Sequence, residues 1–196
     1  MTARVVVLAS GSGTLLQSLM DACSEGRVPA TIVAVGSDVD QAPALGRASA
    51  VGIPAFACRP RDFPDRVSWD RALLGVLTSF EPDLIVSAGF MRILGPVVVD
   101  AFGGRVINTH PALLPSFPGA HAVRDALAHG VKVTGCTVHI VDRGVDTGPI
   151  LAQRAVDVLP ADDEASLHER IKVLERELLI DTVTDMSVQI ENRRHR

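Results

Sequence analysis

Cysteine is scarce in this sequence, and its placement excludes two kinds of cross-linked protein. The three cysteines, Cys23, Cys58 and Cys136, lie far apart, and none belongs to a CxxC pair. An odd number of scattered cysteines argues against a disulfide framework and against a cysteine zinc site. The sequence therefore predicts a protein of the reducing cytoplasm.

Long apolar runs and an excess of basic residues are also missing. No apolar stretch approaches the roughly 20 residues that a membrane-spanning helix needs, and the start of the chain carries no signal-peptide cleavage pattern. The 19 basic residues are outnumbered by 23 acidic ones, which argues against a nucleic-acid scaffold. We expect neither a membrane nor a nucleic acid as a partner.

What the sequence has in abundance is apolar residues in alternating strand and helix patterns. Hydrophobic residues make up 47% of the 196 positions, enough for a substantial core in one domain. Continuous apolar runs are typical of buried parallel strands, whereas Leu15, Leu16 and Leu19 recur at helical spacing. We predict strands at residues 5–9, 30–35, 54–58, 83–87, 105–108, 133–141 and 150–158.

This alternation predicts an α/β fold, a Rossmann-like, open, twisted sheet that is mostly parallel. A loop, and not a helix, separates the last two predicted strands, so we expect these C-terminal strands to pair antiparallel. A long helix striped by Leu167, Ile171 and Leu178 follows. We expect the polar tail at residues 192–196 to be frayed.

A glycine-rich turn, Ser10-Gly11-Ser12-Gly13-Thr14, follows the first predicted strand. Such a turn can aim backbone amides at an anion, with the dipole of the next helix assisting. The Walker lysine is missing, and Leu16 stands where a dinucleotide fingerprint has its third glycine. Phosphate binding without a dinucleotide is the functional interpretation, and a tight turn with no ligand is the alternative.

Three polar residues near the predicted strand ends favour carbonyl chemistry. Asn108 can donate to a carbonyl oxygen that becomes negative, His110 can transfer protons near neutral pH, and a nearby Asp146 would favour the charged imidazolium. Pro111 and the Gly-Pro pair after Asp146 predict irregular backbone for the set. Each residue alone could be structural, but together they favour an active site.

The chemistry that these groups suit is nucleophilic attack on a carbonyl through a tetrahedral intermediate. No serine or cysteine stands in an evident nucleophile elbow, so direct transfer between two bound substrates is favoured. His110, His121 and His139 show no spacing typical of metal ligands, and we expect no metal.

At these residues the sequence resembles the phosphoribosylglycinamide formyltransferase family, the folate-dependent enzymes of purine synthesis. The resemblance runs from about residue 4 to about residue 181. The matching pieces are Ser10-Gly11-Ser12-Gly13, Ala88-Gly89-Phe90-Met91-Arg92-Ile93-Leu94, the Asn-x-His-Pro-x-Leu-Leu-Pro run that begins at Asn108, and the Asp-x-Gly-Pro run that begins at Asp146.

The resemblance implies a role for each polar residue. Asn108 would bind the formyl oxygen, His110 would donate a proton and stabilise the oxyanion, and Asp146 would support His110. The formyl donor would be 10-formyltetrahydrofolate and the acceptor 5-phosphoribosylglycinamide, in a monomer or a homodimer. The loop after Asp142 would close over the pterin.

The resemblance also implies the binding residues. One formyltransferase domain would span residues 1–196, with a phosphate-binding half at 1–100 and a catalytic and folate-binding half at 101–196. The substrate phosphate and glycinamide would contact Gly13, Thr14, Leu15 and Glu175. The folate would contact Arg66, Met91, Arg92, Ile93, Leu94 and Asn108.

Two departures from the family pattern and three rival functions accompany this reading. Many members carry asparagine at the position of Leu15, so a side-chain contact to phosphate is lost there, and the C-terminus looks short. Methionyl-tRNA formyltransferase and formyltetrahydrofolate hydrolase share the catalytic core but carry further domains, for which we expect no room. A nucleotide-binding module that uses only the glycine loop is the rival without catalysis.

Overall fold

Seven strands form one open sheet in the computed structural model, which describes residues 2–194. The sheet order is β3-β2-β1-β4-β5-β6-β7; the first five strands run parallel, and β6 is antiparallel to both of its neighbours. The predicted mostly parallel sheet with antiparallel C-terminal strands is thereby confirmed. The strands are β1 (Ala3–Leu8), β2 (Ala30–Ser37), β3 (Ala55–Ala57), β4 (Leu84–Ser87), β5 (Val106–His110), β6 (Val133–Ile140) and β7 (Ile150–Asp157).

Helices cover both faces of this sheet, which explains why β1 is apolar without alternation. Val5 and Val7 pack into one core cluster with residues of α1 and α6, whereas Val6 and Leu8 pack into the other with residues of α3 and α4. Alternate residues of a strand point to opposite faces, so both faces of β1 are buried. The helices are α1 (Thr14–Ser24), α2 (Pro43–Ala50), α3 (Arg66–Ser79), α4 (Pro96–Ala101), α5 (Ala122–His129) and α6 (Glu164–Arg194).

The chain reverses direction across the sheet between β1 and β4. Strands β2 and β3 lie on one side of β1, and the four later strands lie on the other. In open α/β sheets, ligands bind at the carboxyl ends of the strands at such a switch point. The glycine-rich turn follows β1 and residues 88–94 follow β4, so both lie at this edge.

Two sequence predictions about where an element ends were wrong. Strand β5 does not end at Asn108 but continues through His110, because Thr109 and His110 pair with β6. Helix α6 continues through Arg194, whose guanidinium lies 2.6 Å from Asp83 just before β4, so the expected fraying does not begin at residue 192. Residues 195 and 196 lie outside the described part of the chain.

Within residues 2–194, no helix combines the length and the apolar character that crossing a bilayer requires. Helix α6 is the longest at 31 residues. It packs lengthwise on the sheet through Leu167, Ile171, Leu178 and Val183, all fully buried or nearly so.

The backbones of β6 and β7 approach each other closely at Gly135, and a substitution there tests this packing. A Cβ at Gly135 would overlap the carbonyl oxygen of Arg154 on β7. We expect Gly135→Ala to lower the free energy of unfolding by about 3 kcal/mol, because backbone must move to admit the methyl group. Urea denaturation followed by circular dichroism measures the change.

Gly46→Ala is the matched control for the same chemical change. Gly46 lies inside α2 with open space where a Cβ would stand, so alanine there should raise the free energy of unfolding by about 0.5 kcal/mol or more. Equal effects of the two substitutions would contradict the close packing of β6 on β7.

Candidate active site

A row of three polar side chains crosses the sheet at the carboxyl end of β5. Strand register places Ser87 of β4 beside Asn108 of β5, and Asn108 beside His139 of β6. The Ser87 hydroxyl donates to Asn108 Oδ1 at 2.7 Å, and Asn108 Nδ2 lies 3.3 Å from His139 Nε2. The amide is therefore held at both ends by the neighbouring strands.

His110 lies two residues further along β5, on the same face as Asn108. It is 4% exposed. Its Nε2 lies 2.8 Å from the carbonyl oxygen of Phe117, and its Nδ1 lies 3.4 Å from Asp146 Oδ2. Both ring nitrogens face oxygen acceptors, and a doubly protonated imidazolium can donate to both. This geometry suits a proton donor.

Asp146 comes from the loop between β6 and β7 and closes the cluster. Its Oδ2 accepts the backbone N–H of Gly119 at 2.8 Å, and its Oδ1 lies 3.5 Å from His139 Nε2. The hydrogen bond with His139 is the main cause that holds the pKa of Asp146 below its ordinary value. Burial opposes it, and the Gly119 N–H and the charge of His110 assist. The carboxylate is thus ionised at neutral pH.

The backbone at Asp146 adopts an uncommon conformation. Its φ is +55°, in the left-handed region that aspartate tolerates better than most residues. The predicted irregular backbone holds for Asp146, but Asn108 and His110 lie in a regular strand. The structure therefore brings His110 and Asp146 into contact and places Asn108 beside them through His139.

His139 and Ser87 are site residues that sequence reasoning missed. His139 was weighed only as a metal ligand, yet its Nε2 lies 3.3 Å from Asn108 Nδ2 and 3.5 Å from Asp146 Oδ1, and the residue is 2% exposed. Its position becomes meaningful only when β6 is known to pair with β5. Among residues 2–194, no group of three or more histidine, cysteine or acidic side chains is arranged to hold a metal ion.

The glycine-rich turn presents an uncapped helix N-terminus. Helix α1 begins at Thr14, with no side chain bonded to its first-turn N–H groups. Gly13 precedes it with a φ of +69°, and a Cβ there would lie only 2.8 Å from Cβ of Ala44. Glycine is therefore required by both backbone conformation and space, and the free N–H groups and helix dipole favour an anion.

The side chains of this turn are used unequally. The hydroxyl of Ser10 is engaged within the protein, by Asp38 at 2.5 Å and by the N–H of Met91 at 2.7 Å. Leu15 is half-buried and packs against the core. Arg47, which sequence reasoning missed, donates from α2 to the carbonyl oxygen of Ser12 at 2.7 Å and brings a positive charge to the turn.

Residues 91–94 form an exposed apolar segment beside this turn. Met91 and Ile93 are 74% and 57% exposed, whereas Leu94 is buried. Arg92 forms an ion pair with Asp38 at 2.7 Å. A flat apolar ring of a ligand could pack on Met91 and Ile93 and would bury their exposed apolar surface.

Helix α3 holds the other end of this segment. Arg66 donates to the carbonyl oxygen of Ile93 and lies 3.0 Å from Asp70, which in turn accepts the N–H of Gly95 at 3.2 Å. The central carbon of the Arg66 guanidinium lies 4.7 Å from the centre of the Trp69 ring. The predicted folate residues Arg66, Met91, Arg92 and Ile93 therefore lie together.

Glu175 lies on the opposite face of β5 from Asn108 and His110. It is 5% exposed and close to Thr109. Burial raises the pKa of Glu175, and the Thr109 hydroxyl and the charges of Lys172 and Arg176 oppose this rise. The structure does not bring Glu175 into contact with Asp146. Thr109, which is close to Glu175, lies between Asn108 and His110 in the strand, but its side chain points to the opposite face.

The raised pKa of Glu175 predicts a pH-dependent gain from Glu175→Gln. Folding favours the protonated carboxyl, so the wild-type protein loses stability as pH rises through the folded-state pKa. The variant should match the wild type below the ordinary pKa of glutamate and be the more stable protein at neutral pH. Urea midpoints from about pH 4 to about pH 9 measure this, and Glu177→Gln, at an exposed position on the same helix, should show no such trend.

Comparison with known proteins places this geometry in a family. A family model described as Formyl transferase matches residues 3–183. The phosphoribosylglycinamide formyltransferase of Mycobacterium tuberculosis is 58% identical over 185 residues, which cover 94% of this chain and 85% of that protein. The protein of the same name from Escherichia coli is 39% identical over 171 residues, 87% of this chain and 81% of that protein.

Solved structures agree with the sequence relatives. A crystal structure of glycinamide ribonucleotide transformylase 1 from Symbiobacterium toebii superposes with a TM-score of 0.94 at 43% identity, covering 96% of this chain and 89% of that one. These matches confirm the resemblance drawn from the motifs, and the chain belongs to the formyl transferase family.

Proposed function

We propose that this protein transfers the formyl group of 10-formyltetrahydrofolate to the amine of 5-phosphoribosylglycinamide in purine synthesis. The observation that carries the proposal is the contact of His110 with Asp146, next to Asn108, at the edge of the sheet where an uncapped helix N-terminus and the exposed side chains of Met91 and Ile93 also lie. The names of the relatives support the same reaction.

The proposed chemistry is direct transfer through a tetrahedral intermediate. The amine nitrogen attacks the formyl carbon, and the carbonyl electrons move onto the oxygen. Asn108 and protonated His110 stabilise this oxyanion by hydrogen bonds, and for His110 this requires that Nε2 exchange the Phe117 carbonyl for the oxyanion. The attacking nitrogen loses a proton, folate N10 gains one, and the bond from the carbon to N10 breaks as the carbonyl reforms. Asp146 lies 3.4 Å from Nδ1 of His110 and orients the imidazole.

Each substrate has a proposed place. The phosphate binds the first-turn N–H groups at Gly13, Thr14 and Leu15, where Leu15 contributes backbone only because its side chain packs inward. The glycinamide approaches Glu175. The pterin packs on residues 91–94, and Arg66 and Arg92 add positive charge for the carboxylates of the folate.

The organisation of the protein follows from where these parts lie. We place the phosphate site and most of the folate contacts in residues 1–100, and the catalytic residues in 101–196. All parts come from one chain, so a monomer or a homodimer would carry complete sites. Cys23, Cys58 and Cys136 are free thiols, which fits the reducing cytoplasm.

His110→Ala tests the proposed proton donor. Purified protein is mixed with both substrates, and the change in folate absorbance is followed. We expect a loss of at least about 10² in kcat/KM, because a general acid contributes about that factor. His168→Ala, on α6, is the control and should keep wild-type turnover.

Two results would contradict the proposal. Wild-type protein without turnover, or with turnover that needs no phosphate on the acceptor, would remove the proposed reaction. Unchanged turnover of His110→Ala would favour a binding module without catalysis.

Asp146→Asn tests whether the carboxylate favours protonated His110. If the protonated form is required, kcat/KM falls as pH rises and the imidazolium is lost. Removal of the negative charge 3.4 Å away should move this fall to lower pH. The measurement is the pH profile of kcat/KM, and a fall at the wild-type pH would exclude this role for Asp146.

A further inference from the structure

A closed ring of polar contacts joins the glycine-rich turn to residues 91–94. The N–H of Met91 donates to Ser10 Oγ at 2.7 Å, and the Ser10 hydroxyl donates to Asp38 Oδ1 at 2.5 Å. The other oxygen, Asp38 Oδ2, lies 2.7 Å from Nε of Arg92. Met91 and Arg92 are consecutive, so the backbone completes the ring.

The ring leaves little freedom to its members. The Ser10 hydroxyl both donates and accepts, so its orientation is determined, and each carboxylate oxygen of Asp38 has its own partner. The Asp38 side chain is 2% exposed, whereas that of Arg92 is 50% exposed. A buried carboxylate with charge-assisted bonds on both oxygens is a strong anchor.

Asp38 lies far from the proposed catalytic residues on β5. It directly follows β2, and β2 is separated from β5 by β1 and β4. Three strand spacings of about 4.8 Å put the two strands roughly 14 Å apart. The carboxylate can therefore affect the reaction only through the groups that it holds.

We propose that Asp38 is a positioning residue that sets the conformation of the anion-binding turn and of the folate-binding segment together. The assignment of those two elements to substrates rests on the proposed function. Because Ser10 and Arg92 share one carboxylate, a disturbance at either element is transmitted to the other. Binding of the two substrates is thus coupled through Asp38.

Steady-state kinetics of Asp38→Asn tests this coupling. Asparagine keeps the shape but removes the charge, so both charge-assisted bonds weaken. We expect KM to rise about tenfold for both substrates, as loss of one charged hydrogen bond would give, while kcat at saturation stays within about threefold. Asp40→Asn is the control, since Asp40 is exposed and pairs with Arg59 and Arg61 outside the ring.

Ser10→Ala tests the ring from its other side and covers the case in which Asp38→Asn fails to fold. It should raise both KM values in the same way. Once either member is gone the ring is open, so the double variant should be no worse than the poorer single variant. Additive effects, a rise in only one KM, or a loss confined to kcat would overturn the proposal.

Hydrogen exchange gives a readout that needs no turnover. The Met91 N–H donates to Ser10, so exchange in residues 91–94 should be faster in Asp38→Asn and in Ser10→Ala, and unchanged in Asp40→Asn. Unchanged exchange in both ring variants would overturn the positioning role. Wild-type protein without formyl transfer would instead overturn the proposed function, and the exchange result would still decide whether Asp38 holds the two elements.

Discussion

Antiparallel pairing of β6 with β5 is the constraint on which the proposed active site depends. The register places His139 opposite Asn108, and the turn back toward β7 returns Asp146 to the carboxyl end of β5. A slip of one residue would move His139 to the other face of the sheet. The cluster would then lose the group that links the amide to the carboxylate.

Burial of these polar groups costs free energy, and this cost is offset because the groups are paired within the protein. Ser87 and His139 hold the two ends of the Asn108 amide, and Gly119 bonds Asp146. Buried polar groups destabilise a protein unless they are paired. The left-handed backbone at Asp146 is a further local cost, of the kind that persists where surrounding contacts determine the conformation. These contacts fix the orientations of the polar groups, which suits stabilisation of an oxyanion.

The parallel half of the sheet makes a different contribution. Reversal of strand order between β1 and β4 brings two loops to one crevice, but parallel strands by themselves do not set how those loops sit against each other. Side chains do so: Asp38 links Ser10 to Arg92, and Asp70 links Arg66 to Gly95. The backbone of the apolar segment is thus fastened from both sides while Met91 and Ile93 stay open.

Much of this molecule could be predicted from the sequence because local patterns determine it. The apolar run of β1 predicted burial on both faces, the glycine-rich run before α1 predicted a turn, and the order of strands and helices predicted a mostly parallel sheet. The motifs around Asn108, His110 and Asp146 indicated the family. Each of these features depends on residues close together in the chain.

Tertiary structure decided what depends on residues far apart. Pairing with β6 carried β5 through His110, α6 reached Arg194 where that residue contacts Asp83, and the fold turned the Ser10 hydroxyl inward to Asp38. His139 gained its place only from strand register. Local sequence specifies which backbone conformations are favourable, but the partner of a buried polar group is selected by the fold that brings distant segments into hydrogen-bonding distance.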